Sequence, residues 1–327
     1  MSHLEIDLAA PARPQLRQFL TTWPFKPHRW GVTGSTEGLE DLVAGRVQRG
    51  VEAAGAVTWS ATSDGRLDGF ATLQPLEWDS RVLAMPAARV ELFVNGAYGE
   101  SRDAADALLA AATRDAGRRG LRHVSIRVDA ADDAVIHALE SSAFLNVDAL
   151  ITFFATLAEL PGSLPVGPFE LREATAADVD RIVELAAWAF RDGRFHTDPS
   201  VPAERARDVY RVWAAACCDG SAADATIVAA DGDEPVGFVA CRMLADTAVH
   251  LRRPTGTIPL IASSQTVRGR GVGRALIAAA AQWFGRQEAA AVEVGTQLRN
   301  VAAARLYERS GFRLAAGSLS FRRMIEP

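Results

Sequence analysis

The sequence has little of what several classes of protein require. Its 327 residues include only three cysteines, Cys217, Cys218 and Cys241, and the first two are adjacent. This spacing provides neither a disulfide framework nor a zinc-ligand pattern, and it is typical of a reducing compartment. The longest apolar stretch, Ala275–Phe284, is far shorter than the roughly 20 residues that span a bilayer. We therefore predict a cytoplasmic protein with no metal site and no membrane segment.

The chain also lacks an excess of positive charge. It has 35 basic and 40 acidic residues, a formal net charge of −5, which argues against a broad nucleic-acid-binding surface. Acidic residues and prolines occupy Met1–Pro14, where a signal peptide would need an apolar core. With 49% apolar and 23% charged residues, the composition is that of a globular protein. The length predicts two domains.

An internal duplication indicates where those domains lie. Shifting the sequence by 168 residues aligns Glu100–Phe144 with Arg268–Phe312 without a gap. Between the two copies, Glu159–Pro168 contains three prolines and two glycines, which exclude regular structure. We predict a first domain over residues 1–160, a linker over 161–168 and a second domain over 169–327.

Hydrophobic periodicity predicts the elements of the second domain. Apolar residues at helical spacing predict helices over Asp178–Phe190 and Pro202–Cys218, and a hairpin is predicted around Asp231. Further along the chain, Thr257–Ser263 is predicted to be a single strand that leads to a glycine-rich segment and a long helix. This order predicts an α/β fold with a mixed sheet flanked by helices.

The glycine-rich segment is the main chemical signal. Glycines between a strand and a helix allow backbone N–H groups to converge on an anion, and the N-terminus of the helix adds a favourable dipole. Three arginines supply positive charge, and the segment lacks the Gly-Lys-Ser/Thr sequence of a Walker loop. We predict that seven residues bind a phosphorylated cofactor: Arg268, Gly269, Arg270, Gly271, Val272, Gly273 and Arg274.

Two motifs resemble those of the GCN5-related N-acetyltransferase (GNAT) family. Arg268-x-x-Gly271-x-Gly273 resembles the family's Q/R-x-x-G-x-G/A motif for acetyl-CoA, and residues 300–312 resemble its signature N-x-x-A-x-x-x-Y-x-x-x-G-F. The resemblance covers about 160 residues of the second half. It implies two tandem GNAT-like domains, a mostly antiparallel mixed sheet, and acetyl-CoA as the acyl donor.

The resemblance also implies roles for individual residues. It places the pyrophosphate on the loop and the pantetheine along Ile261, Ala262 and Ser263, with Asn300 nearby. Tyr307 is implied to be the general acid at the thioester sulfur. This role is chemically reasonable because a phenol with a pKa near 10 stays protonated at neutral pH and can donate to a departing thiolate. The alternative for Tyr307 is a half-buried core residue.

The first copy departs from the motif. The same shift places Glu100, Asp103 and Asp106 where the second copy has Arg268, Gly271 and Arg274. Carboxylates repel a pyrophosphate. Leu139 replaces Tyr307 and has no proton to donate, so we predict that the first domain is a degenerate copy without a cofactor site.

The acceptor has to be inferred from weaker evidence. The segment between the first two helices of the second domain combines cationic and aromatic side chains, and we predict that Arg191, Arg194, Phe195 and His196 bind substrate. Phe190-Arg191-x-x-Arg194-Phe195, followed by Tyr210-x-x-Trp213, resembles TDP-4-amino-4,6-dideoxygalactose (TDP-fucosamine) N-acetyltransferases. That resemblance implies an amino sugar on a nucleotide diphosphate, held by Arg191 or Arg194. The alternative is a solvated basic loop.

Five residues are candidates for the base that removes a proton from the acceptor ammonium. His196 and His250 are candidates because histidine is the residue type that ordinarily exchanges protons near neutral pH, and Glu173, Asp198 and Asp246 are able to orient a water molecule. The sequence does not distinguish among them.

Together these observations predict an N-acetyltransferase that transfers acetyl from acetyl-CoA to a primary amine of a small molecule, such as a nucleotide-linked amino sugar. We expect no nucleic-acid or membrane partner, and a monomer or homodimer. Two alternatives remain open. One is a mycothiol-synthase-like or other small-amine or peptide N-acetyltransferase, and the other is a non-catalytic module that binds acyl-CoA.

Overall fold

The computed structural model describes residues 4–31, 37–163 and 168–326. Its contacts divide the chain into two compact units. The first unit extends to Ala149 and also contains the residues from Gly317 onward, and the second spans Leu150–Ala316. Within the described ranges, no helix is long and apolar enough to cross a membrane.

The first unit contains a sheet flanked by helices. Strands β1 to β4 are antiparallel neighbours, β5 runs parallel to the start of β4, and the last strand of the chain pairs antiparallel with β5. The strands are β1 (Leu4–Asp7), β2 (Val57–Ser63), β3 (Arg66–Pro75), β4 (Ala87–Val94) and β5 (His123–Asp129). The helices are α1 (Arg13–Thr22), α2 (Glu37–Val51), α3 (Glu77–Leu83), α4 (Tyr98–Arg118) and α5 (Asp133–Ser141).

The second unit repeats this plan. Strands β7, β8, β9 and β10 are antiparallel neighbours, and β10 pairs in parallel with β12. The strands that lie wholly in this unit are β7 (Glu170–Glu173), β8 (Ala225–Asp231), β9 (Glu234–Leu244), β10 (Thr255–Ile258), β11 (Ile261–Ser263) and β12 (Ala291–Gln297), and two strands, β6 (Leu145–Thr156) and β13 (Arg313–Met324), have residues in both units. The helices are α6 (Val179–Ala189), α7 (Arg194–Thr197), α8 (Ala203–Cys218), α9 (Ala245–Leu251), α10 (Val272–Arg286) and α11 (Val301–Arg309). This arrangement confirms the predicted α/β class with a mostly antiparallel mixed sheet.

The strand that precedes the glycine-rich segment is broken, which corrects the prediction of one continuous strand over Thr257–Ser263. Pro259, which has no N–H to donate, separates β10 from β11. Thr257 is opposite Arg242, whereas Ile261 is opposite Val239, so one extra residue is accommodated between the two strands. Such a bulge bends a strand. As a result, among the residues that the structure describes, β10 pairs with both β9 and β12, whereas β11 pairs with β9 alone, and a wedge opens between β11 and β12.

Helices cover both faces of the sheet in the second unit. Alternate side chains of a strand point to opposite faces. Ile227 and Val239 pack in one apolar cluster with α10 and α11, whereas the alternating Val228 and Phe238 are buried outside that cluster. Helices α6 and α8 pack against each other, and α6 contacts β9 and β11. The wedge therefore lies between two helical layers.

The compact units divide the chain at a different place from the predicted linker. Residues Leu150–Thr156 of β6 pair antiparallel with β12 in the second unit, and Ser318–Met324 of β13 pair with β5 in the first. Each half of the chain thus supplies its last strand to the other unit. Residues 164–167 of the predicted linker lie outside the described residues.

Candidate active site

The glycine-rich loop between β11 and α10 has the backbone of an anion site. Gly269 and Gly271 have φ values of 79° and 86°, a left-handed conformation that favours glycine, and no atom lies within 4 Å of where a Cβ would be. Gly271 begins α10 without a side-chain cap, and the first turn of that helix has no acidic residue. The first N–H groups of a helix have no intrahelical partner. The loop therefore presents open amides together with the positive end of the helix dipole.

The three arginines of the loop differ in their surroundings. Arg268 and Arg274 are exposed. The Arg270 guanidinium instead lies 3.4 Å from Asp231 and over the ring of Phe169, and its backbone N–H donates to the carbonyl of Val267. Of the three side chains, Arg270 is thus the one already engaged by protein, and it anchors the loop to neighbouring strands.

Two further glycines allow close packing around the loop. A Cβ on Gly273 would lie 2.9 Å from a methyl group of Leu306, so this glycine lets α10 approach α11. A Cβ on Gly237 would lie 2.9 Å from Val272 and 3.0 Å from the carbonyl oxygen of Ala262, so Gly237 lets β11 and α10 approach β9. Glycine at these two positions holds β11, α10 and α11 around one end of the wedge.

Helix α11 carries the two residues of the second motif. Asn300 caps the helix by accepting a hydrogen bond from the N–H of Ala303 at 3.2 Å. Tyr307 is only 2% exposed, and its ring contacts Phe153 and Phe312 edge-on. Burial raises the pKa of the Tyr307 phenol above its ordinary value, so the hydroxyl is protonated at neutral pH.

The predicted acceptor residues lie between α6 and α8, and two of them are largely covered. Phe195 is buried, with the Arg194 guanidinium 4.4 Å from its ring centroid. His196 stacks on Tyr210 at 5.5 Å, and its Nδ1 is buried without a hydrogen-bond partner. Burial, reinforced by the charge of Arg207, lowers the pKa of His196 below its ordinary value.

Arg191 is exposed and lies at a cavity of about 340 Å³. The cavity is bounded by α6, including Trp188, and by the end of β11 and the residues after it, including Ser263 and Gln265. Trp188 is 48% exposed, and the guanidinium groups of Arg191 and Arg207 lie 5.9 and 5.2 Å from its ring centroid. This cavity joins a predicted substrate residue, Arg191, to a predicted cofactor residue, Ser263.

The corresponding region of the first unit has a different backbone. Helix α4 starts at Tyr98, which the 168-residue shift places at Thr266, six residues before α10 begins. Helix therefore replaces the glycine loop. Glu100 pairs with Arg66 at 3.1 Å, and Asp106 pairs with Arg102 at 2.9 Å. The first unit thus presents side chains and carboxylates in place of open amides.

Three residues near the predicted site were not predicted from the sequence. Trp188 lies off the apolar face that predicts α6, and an exposed tryptophan there was the available signal. The only signal for Arg207 in the sequence is its position three residues after Glu204, a spacing that pairs opposite charges on a helix. Gln297 ends β12, and its amide nitrogen lies 3.8 Å from where a Cβ on Gly193 would be. Only the folded chain shows this proximity.

Comparisons with known proteins identify a family and a relative that this chain resembles. The family model described as the acetyltransferase (GNAT) family matches residues 180–312. The chain is 28% identical over 252 residues to the spore coat polysaccharide biosynthesis protein SpsD of Bacillus subtilis (strain 168), a match that covers 76% of this chain and 81% of that protein.

Solved structures share the fold over nearly the whole chain. A GCN5-related N-acetyltransferase from Sphaerobacter thermophilus has a TM-score of 0.64 at 18% identity and covers 99% of this chain and 96% of its own. A tandem GNAT protein from the clavulanic acid biosynthesis pathway has a TM-score of 0.57 at 15% identity and covers 99% of both chains. At these identities the similarity establishes the tandem fold alone.

Proposed function

We propose that this enzyme, whose residues 180–312 match the acetyltransferase (GNAT) family, transfers acetyl from acetyl-CoA to the primary amine of a nucleotide-linked amino sugar. The observation that carries the proposal is the wedge between β11 and β12, which leads directly into an uncapped glycine loop. A long donor with an anionic middle and a thioester end matches this shape.

The residues around the wedge fit acetyl-CoA. The open amides at Gly269 and Gly271 and the exposed guanidinium groups of Arg268 and Arg274 suit a pyrophosphate. Because β11 has no partner on its β12 side, Ile261–Ser263 offer backbone groups to the amides of pantetheine. Asn300 contributes by capping α11, which fixes the helix that bears Tyr307.

Tyr307 supplies the acid in this proposal. Transfer from a thioester to an amine needs no covalent enzyme intermediate, so the protein contributes mainly by positioning the reactants. The protonated phenol donates to the sulfur as negative charge develops there. Its aromatic neighbours Phe153 and Phe312 hold the ring in place and keep water from it.

The cavity beside Trp188 is the proposed position of the nucleotide diphosphate of the acceptor. Arg191 has an exposed guanidinium at this cavity, whereas the Arg194 guanidinium lies over Phe195. We therefore favour Arg191 over Arg194 as the diphosphate contact. A sugar nucleotide also fits the similarity to SpsD, a protein named for polysaccharide biosynthesis.

A screen of amines tests the proposed function. Wild-type protein is incubated with acetyl-CoA and with amino sugars, their nucleotide conjugates and cysteinyl thiols, and release of CoA is measured. We expect the highest kcat/KM with a nucleotide-linked amino sugar. Equal activity on the free sugar, or a preference for a cysteinyl thiol, would refute the assignment of the acceptor. Absence of CoA release with every amine would refute acetyl transfer itself.

Replacement of Arg191 tests the diphosphate contact. Arg191→Gln is expected to raise KM for the nucleotide-linked acceptor about tenfold or more, because a charge-assisted contact is lost, while the Kd of acetyl-CoA stays unchanged. Arg205→Gln is the matched control, since Arg205 is an exposed arginine of α8 that pairs with Asp208. An unchanged KM in Arg191→Gln would contradict the assignment.

A further inference from the structure

The segment that carries His196 lies near the carboxyl end of β12, between α6 and α8. A Cβ on Gly193 would strike the hydroxyl of Tyr210, so this glycine allows the segment before α7 to lie against α8. Gly193 also approaches the amide of Gln297, the last residue of β12. The segment that carries His196 is thereby held at the carboxyl end of β12, beside the opening toward β11.

Topology separates most other candidate bases from this place. Asp246 and His250 belong to α9, which connects β9 to the start of β10, where Leu244 pairs with Thr255. Ser263 is eight residues beyond Thr255, roughly 25 Å along an extended strand. Both side chains therefore lie at the far end of β10 and β11.

Two acidic candidates are also unsuitable. Glu173 is on β7, and β8 and β9 separate that strand from β11. Asp198 is close to His196 in sequence, but it is buried and one carboxylate oxygen already accepts hydrogen bonds from the N–H and the hydroxyl of Ser200. Of the five candidates, His196 remains, and it is partly exposed.

The surroundings of His196 keep the imidazole neutral. Its ring stacks on Tyr210 of α8, which in turn stacks on Phe190, so its orientation is set by aromatic packing. The positive charges of Arg207 and Arg191 oppose a second proton more than the single negative charge of Asp192 favours it. Arg194 and Asp198 border the same short helix and carry opposite charges. A neutral imidazole has one nitrogen lone pair available to accept a proton.

We propose, on the basis of the proposed function, that His196 is the catalytic base that takes the proton from the acceptor ammonium. Nδ1 is buried, so Nε2 is the nitrogen that can reach the acceptor. Nε2 removes one proton from the ammonium and later releases it to solvent. The neutral amine then forms the C–N bond as the C–S bond breaks, and the sulfur receives the proton of Tyr307. The second amine proton, lost as the amide forms, returns to the Tyr307 oxygen.

The same positive charges also act on the acceptor amine. Positive charges lower the pKa of a nearby ammonium, because they disfavour the charged form. Arg191 and Arg207 would act in this way on an amine bound next to His196, as they do on the imidazole. The buried Nδ1 has no acceptor to stabilise an imidazolium, so the proton is readily passed on.

The test compares the pH dependence of kcat/KM for wild type, His196→Gln and His250→Gln with the acceptor found by the amine screen. For wild type, kcat/KM is expected to fall at acidic pH, with an apparent pKa lower than 6.5, the ordinary value for histidine. His196→Gln should lower kcat/KM by about 10²–10⁴-fold and abolish that acidic limb, with the Kd of acetyl-CoA unchanged. His250→Gln, in the distant α9, is the matched control and should keep the wild-type profile.

A second measurement does not depend on turnover. NMR titration of the imidazole in the protein without substrates should give a pKa for His196 below its ordinary value, and Arg207→Gln should raise it. An unchanged acidic limb in His196→Gln, in a wild-type enzyme that does acetylate the amine, would overturn the role of His196 alone. A wild type that acetylates no amine would overturn both proposals.

Discussion

Tyr307 shows how one side chain serves both packing and chemistry. Its ring is part of the apolar cluster that joins α10, α11 and the sheet, and its burial raises the pKa of the phenol. A residue of the core is held in one position by its neighbours. That rigidity suits a group that has to meet a sulfur atom at hydrogen-bond distance.

Replacement of Tyr307 by phenylalanine separates the two roles. Tyr307→Phe keeps the ring and its contacts with Phe153 and Phe312, so we expect a change of less than about 1 kcal/mol in the free energy of unfolding. Turnover should fall by about 10²–10⁴-fold because the proton donor is lost, while calorimetry should give an unchanged Kd for acetyl-CoA. Full activity in this variant would show that Tyr307 only packs.

The residues that cap α5 and α11 differ in charge at equivalent positions. Asp132 caps α5 as Asn300 caps α11, each accepting from the backbone N–H three residues on. Burial raises the pKa of the Asp132 carboxyl to about 6, and the nearby Asp129 and Asp133 add to the shift. The ionised form is therefore disfavoured in the folded state.

Because Asp132 can ionise, its burial predicts that the free energy of unfolding depends on pH. An acid whose folded pKa is raised destabilises the fold as the pH rises through the interval between its unfolded value, near 4, and about 6. Asp132→Asn keeps a capping oxygen and removes the charge, so it should raise the free energy of unfolding by about 2 kcal/mol at pH 7.5 and have little effect at pH 4. Urea denaturation at both pH values measures this change.

The control for Asp132 is its neighbour in the sequence. Asp133 is exposed, so Asp133→Asn removes the same charge without relieving burial. Its effect at pH 7.5 should be within about 0.5 kcal/mol. Equal stabilisation by both variants would attribute the effect to net charge and not to the buried cap.

At the scale of elements, the broken strand and the loop that follows it together form the proposed cofactor site. Pro259 and the bulge direct β11 away from β12, and Gly269 and Gly271 then turn the chain into α10 with its amides open. In the first unit, α4 begins six residues earlier and the corresponding turn is absent. The two copies therefore differ in this segment, which is a loop in the second unit and the first part of a helix in the first unit.

Replacement of Gly271 tests the loop. Gly271→Ala places a side chain at φ 86°, which costs about 1 kcal/mol, and it should raise the Kd of acetyl-CoA about tenfold by distorting the amides. Gly220→Ala is the matched control, because Gly220 also has φ 86° and open space around it but belongs to a distant turn. Both variants should lose similar stability, and only Gly271→Ala should weaken binding. Equal Kd values would contradict the role of the loop.

At the scale of the whole molecule, the chain contains two units of one plan with unequal sites. The first unit keeps the sheet order and the parallel pairing of β4 with β5, but Arg66 and Arg102 already neutralise Glu100 and Asp106 where a pyrophosphate would lie. We therefore retain the prediction that the first unit has no cofactor site.

Stoichiometry tests this prediction. Calorimetric titration of the full chain with acetyl-CoA should give one equivalent bound, and Gly271→Ala should weaken that single site. Two equivalents per chain, or a second site that persists in Gly271→Ala, would show that the first unit binds the cofactor as well.

Several features could be predicted from the sequence because they depend on neighbours along the chain. Apolar spacing located α6 and α8 to within a few residues, since the apolar face of a helix is formed by residues three and four apart. Residues 268–274 were identifiable because a turn that needs glycine just before a helix is a local property. The duplication was visible because both copies keep their order.

Tertiary structure alone decided the rest. The exchange of last strands and the wedge depend on which strands pair, and pairing is set by contacts between residues far apart in sequence. Likewise the five candidate bases were equivalent until topology placed Gly193, at the start of the segment that carries His196, beside Gln297 and placed His250 at the other end of β10. The sequence determines the chemical type of each side chain, but the packed fold determines the distance between two side chains.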